Sequence, residues 1–111
     1  MVTLATVNNR IKKGQKMQFA VTAHDFTDAQ AIDRRLAVRE QHFVGIKKMI
    51  ENGTFLSGGG ILDDAGKMIG SCAHVQFNSR AEVEHWIAND PYTTAKVWDK
   101  VVVVAVKLVP M

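Results

Sequence analysis

The chain has 111 residues, 47% apolar and 23% charged, which is one domain's worth of an ordinary globular mixture and excludes disorder and collagen-like fibres. A domain of this size hides only about two-thirds of its unfolded surface, so an oligomer interface would help it. Cys72 is the single cysteine, so no disulfide forms within the chain, which suits a reducing, cytoplasmic setting. There is no apolar run of about 18 residues to enter a membrane, and the N-terminus lacks the apolar core of a signal peptide.

The net charge of +3 is concentrated at one end. Arg10, Lys12, Lys13 and Lys16 fall in the first 16 residues, where there is no Asp or Glu. Taking those four from the 14 basic residues leaves 10 against 11 acidic ones. Residues 1–16 therefore read as a basic extension, and residues 17–111 as the domain, with Met17 a candidate native start. Nucleic-acid binding needs clustered cations interleaved with aromatics. The extension has no such interleaving, so no nucleic-acid partner is expected.

Residues 17–24 alternate Met17, Phe19, Val21 and Ala23 with more polar neighbours, the period of a strand. Thr27 or Asp28 is a candidate helix cap. Residues 29–52 carry helical periodicity, with Ile32, Leu36, Phe43, Ile46 and Ile50 expected on the core face. Asn52-Gly53 ends that helix. Residues 54–62 form a glycine-interrupted strand, and Asp63 to Gly66 turn into a strand at 67–77. Ser79 caps a short helix near 80–88, and Pro91 turns the chain. Tyr92 to Trp98 are expected to add helical turns, and residues 100–108 the last strand.

The order strand, helix, strand, strand, helix, strand predicts an α+β fold, a ferredoxin-like βαββαβ sandwich with one antiparallel sheet and both helices on one face. Val101 to Val106 is apolar at every position, which implies burial on both faces. A second copy covering the open sheet face would supply that, giving a homodimer.

His42 is the most informative polar residue. On a helix it lies about 20° from Arg35 and about 60° from Arg39. Two guanidiniums and an imidazole then share a stripe beside the apolar one, suited either to an exposed basic face or to one wall of an oxyanion pocket. Ser57-Gly58-Gly59-Gly60 marks a strand end where a ligand or backbone comes close, or a plain bulge. Asp90-Pro91 is a turn opener, and a buried carboxylate near His42 would fix its tautomer. His24 and His74 point away from the helices and read as interface residues, and His85 as solvated. Cys72 reads as a small buried residue. No HxH, HxxxH or CxxC spacing occurs, so neither metal nor cofactor is expected.

The stretch from Arg35 to His42, with Leu36 and Arg39 between, resembles the Arg-Leu-x-x-Arg-x-x-His stretch of the YciI-like (YCII) family. Gly58-Gly59-Gly60, Gly70-Ser71, Asp90-Pro91-Tyr92 and Val97-Trp98 match in the same order, although Ile61 stands where the family often has proline. The resemblance spans about residues 17–109. It implies a dimeric α/β barrel with a histidine–aspartate acid–base pair, here His42 and Asp90. Arg35, Arg39, Gly59, Gly60 and Tyr92 are then the candidate substrate contacts. The expected function is acid–base chemistry of the elimination or isomerisation type on a small anionic or phenolic molecule. The alternative is a non-catalytic dimeric module that binds a small ligand or partner.

Overall fold

The computed structural model describes residues 16–111. The expected basic extension, apart from Lys16, lies outside them. The elements are β1 (Met17–Asp25), α1 (Ala31–Glu51), β2 (Phe55–Leu62), β3 (Met68–Phe77), α2 (Arg80–Asn89), α3 (Pro91–Thr94) and β4 (Trp98–Val106). The strands form one antiparallel sheet in the order β2-β3-β1-β4. This is the α+β, ferredoxin-like arrangement that the element order predicts. No helix among the described residues is long and apolar enough to cross a membrane.

Period-two alternation decides the two faces of the sheet. Met17, Phe19, Val21 and Ala23 of β1 point to the helices and are buried. Antiparallel pairing puts Val75 beside Phe19 and Val103 beside Val21 on the same side. Val83 of α2 packs onto this layer and is fully buried. The other parity leaves Thr22, His24, Cys72 and His74 on the open face.

Val102 is 52% and Val104 43% exposed within a single chain, so the described residues cover β4 on its helix side only. The open face corrects one expectation. Cys72 is exposed, because it pairs with Thr22 on the side away from the described helices.

The ends of the elements also differ in places from the sequence reading. Gln30, without a side-chain bond, caps α1. Asp28 is instead held by Arg34, at 2.7 and 2.8 Å. That contact lowers the Asp28 carboxyl to about 2. Ser79 caps α2 by accepting from the Glu82 amide, and Glu82 reaches back to the Asn78 amide. Strand β4 starts at Trp98, which pairs with Asp25 across a bulge. Only Pro91–Thr94 is helical before it, since Lys96 takes a positive φ of 59° and turns the chain. Arg34 braces that turn by donating to the Lys96 carbonyl.

The rotation of α1 is the main departure. Its buried residues are Ala31, Arg35, His42 and Ile46, whereas Leu36, Phe43 and Ile50 are each at least half exposed. The apolar set lies about 80–120° from His42 around the helix, to the side of the core rather than over it. An ion pair explains this. Asp25 extends the inward parity of β1, and Arg35 Nη1 donates to both of its carboxylate oxygens at 3.1 Å. Arg35 Nη2 donates to the Gly70 carbonyl and the Ser71 hydroxyl, each at 2.8 Å. A buried carboxylate without its cation is costly, so the pairing turns the cationic stripe inward.

Replacing Arg35 with Ala is expected to cost roughly 3–5 kcal/mol, because Asp25 stays behind buried and unpaired. The double variant Asp25→Ala/Arg35→Ala should lose less than the sum of the two single losses. Urea denaturation of the four proteins checks this, and additive losses would show that the pair does not act as a unit.

Candidate functional site

Helix α1 makes few contacts with β2, and the gap holds a cavity of about 440 Å³. Phe43 and Ile50, both displaced from the core, form one wall together with the buried Ile46. Phe55, Trp86, Tyr92 and Trp98 add aromatic surface. The glycine end of β2 forms the other side. A Cβ on Gly58 would stand 2.6 Å from the Cys72 carbonyl oxygen and 2.6 Å from the Phe55 ring, so this edge admits no side chain there. The charged groups on the lining are Arg35, Arg39 and Lys47, with His42 beside them and no carboxylate.

His42 and Asp90 meet at the wall of this cavity. His42 Nδ1 lies 2.8 and 3.0 Å from the two Asp90 oxygens. Both side chains are buried. Asp90 sits between two helices, ending α2 and capping α3 through a 2.9 Å bond from the Tyr92 amide. Pro91 at the first position of α3 loses no hydrogen bond and sets the backbone angle. Trp86 Nε1 donates to the second carboxylate oxygen at 3.3 Å. With three donors around it, Asp90 is held as an acceptor. A neutral His42 therefore carries its proton on Nδ1, and Nε2, which has no partner among the described residues, is the accepting nitrogen.

The His42 ring stacks on Tyr92 with centroids 3.9 Å apart. The Arg35 guanidinium lies 4.6 Å from the Tyr92 ring centroid. Arg39 lies over Phe43 at 5.3 Å.

The structure thus brings His42, Asp90, Arg35, Arg39, Gly59, Gly60 and Tyr92 to one region. Asp90 supports His42 from behind, and the other six line the cavity. They are not equivalent: Arg35 has its charge committed to Asp25, while Arg39 is exposed and lacks a carboxylate partner among the described residues. Asp25, Ser71, Trp86 and Trp98 were not singled out for this site by the sequence reading. Asp25 had a visible signal, since it continues the inward parity of Phe19, Val21 and Ala23. The indole bonds of Trp86 and Trp98 had none. Among the described residues no three His, Cys, Asp or Glu side chains gather to hold a metal.

Tyr92 is only 2% exposed. Burial pushes its phenol above the ordinary 10.0, partly offset by the Arg35 and Arg39 charges. The fold therefore keeps the Tyr92 proton at a pH where the unfolded chain has released it. Stability from this group is complete below 10.0 and falls as pH rises beyond it. Tyr92 is the single tyrosine, so the tyrosinate absorbance band reports it alone. The native protein should titrate later than the chain in denaturant; coincident curves would show that the ring is not desolvated. In Tyr92→Phe, stability should decline less in alkali.

Three comparisons bear on this geometry. The family model for the YCII-related domain matches residues 17–107. An uncharacterized protein of Haemophilus influenzae is 31% identical over 93 residues, 78% of this chain and 93% of that protein. Among solved structures, the 5-chloro-2-hydroxyhydroquinone dehydrochlorinase of Burkholderia phenoliruptrix, in complex with 2,5-dihydroxybenzoquinone, has the same fold. The TM-score is 0.71 at 23% identity, covering 82% of this chain and 94% of that one. With nearly the whole described fold inside the matched span, the chain belongs to the YCII-related domain family.

Proposed function

We propose that this protein is a small acid–base enzyme acting on a small anionic or phenolic molecule. The observation that carries this reading is the buried His42–Asp90 pair, 2.8 Å apart, on the wall of a cavity with cations and no carboxylate. His42 Nε2 takes a proton from a hydroxyl or from a carbon beside a carbonyl. Asp90 orients the ring and stabilises the imidazolium that forms. Arg39 and Lys47 hold substrate charge near the cavity. Returning the proton to another atom gives isomerisation, and loss of a leaving group gives elimination.

The dehydrochlorinase neighbour supplies a first assay compound, since its substrate is an aromatic ring with acidic hydroxyls. Chloride release from 5-chloro-2-hydroxyhydroquinone is expected with the parent protein. His42→Ala should reduce the rate roughly 10²–10⁴-fold. Asp90→Asn should also lose most activity, and the double variant little more, as for residues acting as a unit. Binding of phenolic compounds without turnover of any would favour the ligand-binding module instead.

A second copy of the chain on the open sheet face completes the reading. Val102 and Val104 lie beside Thr22 and Ala20, forming an apolar strip with no cover among the described residues. Sedimentation should give a dimer at micromolar concentration for the parent, and a folded monomer for Val104→Glu, whose carboxylate cannot enter a dry interface without cost. A parent that sediments as a folded monomer would remove the dimer from the proposal.

A further inference from the structure

Ser71 takes no part in the acid–base pair, yet its bonding is unusually constrained. It lies on the helix-facing side of β3, between Ala23 of β1 and Gly60 of β2, and lines the cavity. Its Oγ accepts two hydrogen bonds, from Arg35 Nη2 at 2.8 Å and from Trp98 Nε1 at 3.1 Å. A serine hydroxyl has two acceptor sites and one proton. Both acceptor sites are taken by groups that can only donate. The proton is left over, and no acceptor takes it among the described residues.

The surroundings strengthen that proton as a donor. Arg35 is cationic and held by Asp25, so it draws electron density from Oγ, and the indole N–H adds to the same pull. The position is fixed as well. A Cβ on the preceding Gly70 would stand 2.5 Å from the Ala23 carbonyl oxygen, so β1 and β3 run close at this point. Arg35 Nε is a buried donor that also has no partner among the described residues.

We propose that the Ser71 hydroxyl is the specificity-determining donor of this cavity, binding the anionic oxygen of a phenolate or carboxylate ligand. The proposal rests on the reading that the cavity holds a small acidic molecule. Asp25, Arg35 and Ser71 then form a chain in which the buried ion pair is felt by the ligand through one hydroxyl. This separates two roles: Arg35 acts as a positioning residue, and Ser71 makes the contact. A neutral ligand of the same shape gains nothing from such a donor unless it offers an acceptor in the same place.

The two tryptophans, Trp86 and Trp98, are the only ones in the chain and both line the cavity, so quenching of their fluorescence reports occupancy. The probes are 4-nitrophenol, at a pH where it is ionised, and its methyl ether 4-nitroanisole. The parent protein should bind the phenolate more tightly than the ether. Ser71→Ala should lose roughly 10–100-fold in phenolate affinity, the range for a hydrogen bond to a charged group, and a much smaller factor in ether affinity, because the ether oxygen is an uncharged, weaker acceptor. Ser71→Thr, which keeps the hydroxyl, should restore the preference. Ser71→Cys, a weaker donor, should fall between and serves as the test if the alanine variant does not fold. Equal weakening of both probes, or of neither, would overturn the role of Ser71 while leaving the cavity reading intact. Failure of the parent to bind either probe would overturn the cavity reading and this proposal together.

Discussion

The buried ion pair between Asp25 and Arg35 sets the rotation of α1, and most of the functional geometry follows from that angle. Arg35 is seven residues before His42, so the two lie within about 20° on the helix. Once Arg35 turns inward to reach Asp25, His42 turns inward with it. The same rotation carries Phe43 and Ile50 off the core and onto the cavity wall. Burial and pairing oppose each other within the pair. Burial pushes the Asp25 carboxyl up, and the Arg35 charge pulls it down. Such a pair adds little net stability, but losing one partner is expensive, so it selects one packing over others.

Asp90 is the second fixed point. It closes one helix, starts the next and receives the His42 ring, the Tyr92 amide and the Trp86 indole. A carboxylate with that many donors does not rotate freely, and its partner ring is held as firmly. Tyr92 stacks on the other side of the same imidazole. The histidine is therefore placed from two sides, by the Asp90 carboxylate at the junction of α2 and α3 and by the Tyr92 ring of α3. That is the kind of support a proton-transferring group needs to keep its geometry.

The sheet provides a different asymmetry. Its inner face carries the core and the cavity. Its outer face carries Val102, Val104, Cys72 and two histidines, with no helix of the described residues above them. Val102 and Val104, left about half exposed, are the kind of apolar surface that the proposed second copy would cover. The glycine edge of β2 belongs to the inner face: without side chains it lets the cavity reach the backbone of β3.

Much of this was legible in the sequence because the local signals are strong. Period-two alternation in β1, the Ser79 cap, the Asn52-Gly53 stop and the Asp63–Gly66 turn each act within a few residues, so they determined the element order and the fold class. The order of Arg35, Arg39, His42 and Asp90 against the family pattern determined the membership, and named the acid–base candidates. The sequence did not decide which stripe of α1 faces inward. Apolar periodicity favoured Leu36, Phe43 and Ile50, but an ion pair between residues ten apart on different elements outweighed it, and its partner is visible only once β1 and α1 are packed. The bonds of Trp98 and Arg35 to Ser71 join residues 27 and 36 apart in the chain. No local pattern encodes contacts of that range, so the bonding that singles out Ser71 came from the tertiary structure alone.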